Sequence, residues 1–262
     1  FAAAPAVPPL LLDALGDPDG EVATAAQETL RNLPVHLGDA AVAALVGGGA
    51  GQARLRAMQL AGARRVAGAA PALLTAAHDA DPAVRVAALR ALGDLAGEAE
   101  FKALLDLLAS AATPEDAEAA ERALRSTAAR VASPERCAPP LAALLPQARP
   151  ALRLALLRLL QSVGGQTAWE AILAAGVDPD AEIRTAAFRL LGEWKAPDAA
   201  TQLLGLATTA ADSGARLLCL RGALRLAGSK DLPPEQRLAL CTQAAPLVQR
   251  SEEKKLLLGV LG

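Results

Sequence analysis

The chain has 262 residues, of which 53% are hydrophobic in type, 21% charged and 2% aromatic, and its 26 basic residues nearly balance 28 acidic ones. That balance, with no tyrosine, disfavours a nucleic-acid surface, which needs a basic excess and rings on which bases stack. No apolar run reaches the roughly 18 residues of a membrane span, because Arg149, Arg153 and Arg158 interrupt the richest stretch.

In chain order the sequence divides into about eight similar units, roughly 6–34, 37–66, 68–97, 98–131, 133–163, 165–195, 197–228 and 234–262, and self-similarity at this period predicts a stacked array. The first keeps Asp19, Val22, Ala23, Ala26 and Leu30 without the arginine that marks later units. Gly47 to Gly51 reads as the turn before Arg54, Ala57, Ala61 and Gly62, since it lacks the Lys-Ser/Thr of a phosphate loop. The third unit carries the clearest copy, Asp81 through Val84, Arg85, Ala88, Leu89, Leu92 and Gly93. Val84, Ala88, Leu89 and Leu92 fall on one face of a helix, Asp81 precedes it as a cap, and Pro82 suits its first turn. Gly62, Gly93, Gly192 and Gly228 come late and read as helix stops.

The fourth unit is degenerate. Its first helix covers Phe101 to Ala109, the stretch from Ala96 to Glu118 reads as about six residues longer than the common spacing, and extra length of that kind belongs in a surface loop. Arg122 falls at the marking-arginine position, with Arg125 where neighbours carry Ala57, Ala88 and Ala187. After prolines between Pro139 and Pro150 the pattern resumes at Arg153, then repeats from Asp180 through Arg184 to Gly192, with Trp194 just beyond. Arg216 and Cys219 mark the seventh unit, where the cysteine stands in the small-residue column and reads as a buried thiol. Lys254, Leu257, Leu261 and Gly262 restate the motif, so that a chain opening at Phe1 and closing inside a repeat reads as a segment of a longer protein. No secretory signal opens it, and no compartment is specified.

The Asp-x-x-Val/Ile-Arg-x-x-Ala-x-x-x-Leu-Gly pattern resembles HEAT repeats, in particular the short bacterial kind called PBS-lyase-like HEAT repeats. The resemblance implies an all-α solenoid, a right-handed superhelix of paired antiparallel helices with the second helices lining the concave face. It also implies that turn aspartates and the following arginines form a ladder between neighbouring repeats, here Asp81, Asp180, Arg54, Arg85, Arg153, Arg184 and Arg216. Five residues beyond the ladder lies a second column, Glu28, Gln59, Arg90, Thr127, Arg158, Arg189 and Arg221. About 140° around the helix from the ladder, it is expected on the concave surface. Arg90, Arg158, Arg189 and Arg221 make a stripe suited to an acidic protein partner, unless Asp94 and Glu193 neutralise Arg90 and Arg189 along the helix. Trp194 is a candidate exposed anchor beside that stripe, or a core filler.

No catalytic residue, metal site or cofactor is expected. His36 and His78 occupy unrelated positions without a following Glu, so the iron-holding His-Glu pairs of enzymes resembling deoxyhypusine hydroxylase are missing, and nothing marks a chromophore groove for a PBS-lyase-like role. The expected function is a non-catalytic protein-interaction scaffold. The alternative is an accessory repeat region of a multidomain bacterial enzyme, for example beside a sugar-hydrolase-like domain, or a PBS-lyase-like role.

Overall fold

The computed structural model describes residues 9–34 and 36–261. Among them the chain is helical, without strands, and it divides into two compact units, Phe1–Pro140 and Leu141–Gly262. The first holds α1 (Pro9–Asp13), α2 (Gly20–Arg31), α3 (Asp39–Gly48), α4 (Gly51–Ala63), α5 (Ala70–Ala76), α6 (Pro82–Leu95), α7 (Glu98–Ala109) and α8 (Pro114–Ala128). After α9 (Ala138–Leu144), the second holds α10 (Pro150–Val163), α11 (Gly165–Ala175), α12 (Ala181–Gly192), α13 (Ala199–Thr209), α14 (Ser213–Ala227), α15 (Pro234–Ala244) and α16 (Ser251–Leu261). This is an all-α array of stacked helix pairs.

Within each unit α4, α6, α8, α12, α14 and α16 pack on the odd-numbered helix before them, and even-numbered helices pack on one another, α4 on α6 and α6 on α8 in the first unit, α10 on α12 and α12 on α14 in the second. The helices start where the sequence supplies a cap. Asp19, Asp81 and Asp180 accept from the backbone N–H of Glu21, Ala83 and Glu182, all at 2.8 Å, and Asp212 accepts from Ala215 at 2.7 Å. Each such cap contributes about 1 kcal/mol.

Counting from the caps fixes a common register. The seventh residue beyond the cap is Ala26, Ala57, Ala88, Ala120, Leu156, Ala187 or Cys219, and every one is buried. Small side chains at most of these positions let the helices approach closely, so the core rests mainly on Ala and Leu, with few rings. Burial also pushes the Cys219 thiol up to about 11, which keeps it protonated and inert.

The cap register changes the reading of the degenerate repeat. Thr113 caps α8 by accepting from Asp116 N–H at 3.1 Å, so Ala117, not Arg122, stands at the ladder position, and Ala120, not Arg125, fills the small-residue column. From Asp81 to Thr113 is an ordinary step of 32, whereas Thr113 to Arg149, which precedes α10, is 36. The extra residues therefore lie after α8, where α9 is flanked by the short 3-10 turns Pro134–Cys137 and Leu145–Gln147, and not between Ala96 and Glu118.

The late glycines are not stops either, apart from Gly228, the residue that follows α14. Gly62 and Gly93 lie inside α4 and α6, and Gly192 is the last residue of α12. They mark places where neighbouring even-numbered helices nearly touch: a methyl on Gly62 would stand 3.0 Å from Cα of Ala91, and one on Gly93 would stand 3.2 Å from Cα of Ala123.

Candidate interaction face

At the ladder position, four residues beyond the cap, Arg54, Arg85 and Arg153 tie repeats together, whereas among the described residues Arg184 and Arg216 bond only within their own repeats. Arg54 Nη1 reaches Asp79 Oδ2 at 2.8 Å and its Nε donates to the Val46 carbonyl. Arg153 repeats this with Asp178 at 2.9 Å and the Ala148 carbonyl. Arg85 grips Asp116 through Nε and Nη2 at 3.0–3.1 Å. The carboxylates are thus Asp79, Asp116 and Asp178, whereas Asp81 and Asp180 serve as helix caps. Arg184 donates to the carbonyls of Asp178 and Pro179, and Arg216 donates to that of Ala210.

These pairs are largely shielded from water, which strengthens them. The Arg85 guanidinium holds Asp116 below the usual carboxylate range against the opposing effect of burial, with Thr113 helping, and Asp116 in turn raises Arg85. Asp79 is lowered first by the Asp81 N–H and then by Arg54.

A second set of inter-repeat bonds is not announced by the repeat pattern. Arg64, just after α4, donates to the carbonyls of Leu30, Arg31, Leu33, Pro34 and Leu37 and pairs with Asp39 at 2.9 Å. Arg130 donates to the Ala96 carbonyl, and Arg225 to those of Gly192 and Trp194. Each reaches the carbonyl end of the preceding even-numbered helix, where free acceptors and the helix dipole favour a cation. The available signal was an arginine near a helix C-terminus, but its target lies a full repeat away.

The stripe residues stand nine beyond the caps. In the first unit Arg90 is exposed and lines an 810 Å³ groove along α4 and α6, together with Leu55, Gln59, Val86, Asp94 and Glu115. In the second, Arg158 and Arg189 are exposed and line a 690 Å³ groove along α10 and α12, with Leu154, Glu182, Leu190 and Glu193. Neither Arg90 with Asp94 nor Arg189 with Glu193 forms an ion pair among the described residues.

Two members of the expected site are otherwise engaged. Arg221 holds Glu253 of α16 through Nε at 2.8 Å and Nη2 at 2.7 Å. Glu253 is 1% exposed; burial pushes its pKa up, but Arg221 outweighs this and the net shift is downward. Breaking that pair strands a buried charge. Trp194 is no exposed anchor: it is 5% exposed and meets Trp169 edge to face, with ring centres 5.2 Å apart. An aromatic pair of this geometry gains more by filling the helix interface than by facing water. Thr127 is also fully buried, and the exposed residue nine beyond Thr113 is Arg122.

Residues 38–125 and 138–222 match the family model of HEAT repeats. No curated protein matches the chain. Among solved structures it is similar to the complex of CpcE and CpcF of phycocyanin lyase from Nostoc sp. PCC7120, at 20% identity over 95% of this chain and 97% of that one, with a TM-score of 0.42. It is also similar to human deoxyhypusine hydroxylase in complex with glycerol, at 22% identity over 97% of this chain and 94% of that one, TM-score 0.40. A designed armadillo repeat protein matches at 17% identity over 83% of this chain and 98% of that one, TM-score 0.36.

Proposed function

We propose that this chain, which belongs to the HEAT-repeat family, is a non-catalytic scaffold whose even-numbered helices present arginine-bearing grooves to an acidic segment of a protein partner. The observation that carries the reading is the ion-pair state of Arg90 in the first unit and Arg189 in the second. Both are exposed, both lie in grooves with apolar floors, and neither is neutralised by the carboxylate four residues on. Leu55 and Val86 in one groove, and Leu154 and Leu190 in the other, offer contact area beside the charge.

Such a groove suits a segment that alternates carboxylates with aliphatic side chains. Glu115 in one groove, and Glu182 and Glu193 in the other, set the spacing by repelling carboxylates that fall out of register. The reading assigns recognition to this face and no bond-making chemistry. Neither groove includes His36 or His78.

Fluorescence anisotropy with labelled Glu/Leu and Lys/Leu peptides of equal length tests it. The Glu/Leu peptide should bind, weaken as salt is raised, and lose about two- to thirtyfold in affinity with Arg90→Glu plus Arg189→Glu, since each exposed charge contributes roughly 0.2–1 kcal/mol. Equal binding of the two peptides, or unchanged affinity in the double reversal at native helical content, sinks the proposal.

A further inference from the structure

A comparison of two equivalent clefts, one in each compact unit, points to a ligand site away from the arginine grooves. In the first, Arg85 is closed by Asp116, three residues beyond the Thr113 cap, and the cleft around Arg85, Leu89, Leu107 and Ala111 is only 220 Å³. In the second, the residues at the same offsets from their caps are Arg184 and Phe188, with Leu206 and Ala210 opposite, and Ala215 stands where Asp116 stood. Here the cleft is 640 Å³.

Carboxylates close the ladder from two positions. One lies two residues before a cap, as in Asp79 and Asp178, and the other lies three beyond it, as in Asp116. Opposite Arg184 the corresponding residues are Ala210 and Ala215, so neither position supplies a charge. Arg184 Nη1 donates to two backbone carbonyls, at 2.6 and 2.8 Å, while Nε and Nη2 find no acceptor among the described residues. Those are the two nitrogens with which Arg85 grips Asp116. The side that binds a carboxylate edge-on is therefore presented to the cleft without its partner.

The remaining walls are mostly apolar; Thr185, Thr209 and Asp212 also line the cleft, and Asp212 is engaged as the α14 cap, accepting from the Ala215 N–H at 2.7 Å. Leu173, Phe188, Leu206 and Leu218 are half-buried around the space, and Val177 stands 84% exposed at its rim. A volume of this size falls within the roughly 300–1,000 Å³ of small-molecule sites, which are mostly apolar with a few polar groups that fix orientation.

We propose that this cleft binds a small apolar monocarboxylate, whose carboxylate completes the open rung on Arg184 and whose hydrocarbon body lies against Phe188, Leu206 and Leu218. The charge fixes orientation, and the apolar walls supply the driving force through buried surface. A chain that closes equivalent rungs with its own carboxylates here leaves the place to a ligand.

Isothermal titration of the whole chain with decanoate tests the proposal, with decanol, decylamine and a tetrapeptide ending in a free leucine carboxylate as comparison arms. Decanoate should bind with the highest affinity of the four. Arg184→Gln should weaken it about tenfold or more, the scale of one lost charged hydrogen bond. Ala215→Asp installs the residue of the closed rung, so it should compete decanoate out and raise the urea midpoint. Ala210→Asp, at a half-exposed site, should do the same if Ala215→Asp fails to fold. Absent decanoate binding, equal binding of decanol, tighter binding of the peptide, or undiminished affinity in Arg184→Gln or folded Ala210→Asp would each overturn it.

Discussion

Replacing Gly222 by alanine should destabilise the second unit, and comparison with Gly205→Ala isolates why. Both glycines lie inside helices, α14 and α13, so both substitutions gain roughly 0.5–1 kcal/mol from helix propensity and a less flexible unfolded chain. The surroundings differ. A methyl on Gly205 meets nothing within 4 Å, whereas one on Gly222 stands 2.6 Å from the Gly192 carbonyl oxygen, 2.9 Å from its Cα and 3.1 Å from its carbonyl carbon. Carbon pairs prefer about 3.5–4.0 Å, so α12 and α14 must part by roughly 0.5–1 Å, and backbone atoms cannot rotate aside. Overpacking of this kind costs about 1–3 kcal/mol, and with backbone on both sides the upper half of that range applies. Subtracting one variant from the other cancels the shared propensity gain, leaving Gly222→Ala about 2–3 kcal/mol less stable than Gly205→Ala. The chain's two tryptophans, Trp169 and Trp194, both belong to the second unit, so urea unfolding followed by their fluorescence reads this region alone. Equal midpoints for the two variants, or a higher one for Gly222→Ala, would falsify the close-approach argument.

Other consequences follow from the ladder and the core. Asp79, Asp116 and Glu253 all have lowered pKa values, so their stabilisation is complete above the ordinary carboxylate range and is lost as pH falls through the lower folded values. The urea midpoint should therefore drop below about pH 4, and Asp116→Asn should flatten part of that drop while lowering the midpoint at neutral pH; an unchanged acid slope would show that Asp116 carries none of it. Trp194→Ala should cost about 3–5 kcal/mol and abolish the near-ultraviolet signal of the Trp169 contact. A loss below 1 kcal/mol would mean the ring is not core. Cys219, with its pKa pushed up to about 11 inside the helix contact, should resist a thiol reagent at neutral pH until urea unfolds the second unit. Prompt labelling in the native state would contradict its burial.

The sequence carried the architecture well because capping and hydrophobic spacing are local. Asp81 and Asp180 announced their helices, and Ala88 and Ala187 announced the buried face, from residues within one turn of each other. Identity matching failed where chemistry was conserved in another form. Arg122 shares its residue type with Arg85, but Thr113 with Asp116 three residues on, a cap signature in its own right, fixes a frame in which Arg122 matches Arg90. Trp194 could not be placed, since its burial depends on Trp169, which is adjacent only after folding. The partners of Arg64, Arg130 and Arg225 were hidden for the same reason, being backbone carbonyls of the preceding repeat, a kind of partner that side-chain sequence does not spell.

Measured from the caps, each even-numbered helix divides its labour by position, and this bears on where recognition can vary. The fourth residue closes a rung where it is Arg54, Arg85 or Arg153, the seventh must be small or aliphatic to be buried, and a twelfth-position glycine, as in Gly62, Gly93 and Gly192, sets the helix approach. Changes at any of these alter stability first. The ninth position lines a groove at Gln59, Arg90, Arg158 and Arg189, and no buried-core role fixes Arg90 or Arg189. There the chain places Glu28, Gln59, Arg90 and Arg122 in the first unit, and Arg158, Arg189 and Arg221 in the second. Where that position does acquire a packing role, as Arg221 does with buried Glu253, it stops being available to a partner. Reversing Arg221 should therefore lower the urea midpoint more than peptide affinity, whereas reversing Arg189 should do the opposite. The ratio of those two effects separates a scaffold residue from a recognition residue at the same register. If both reversals lowered stability equally and left peptide affinity alone, the ninth column would be structural throughout, and the grooves beside it would lose their claim to recognition.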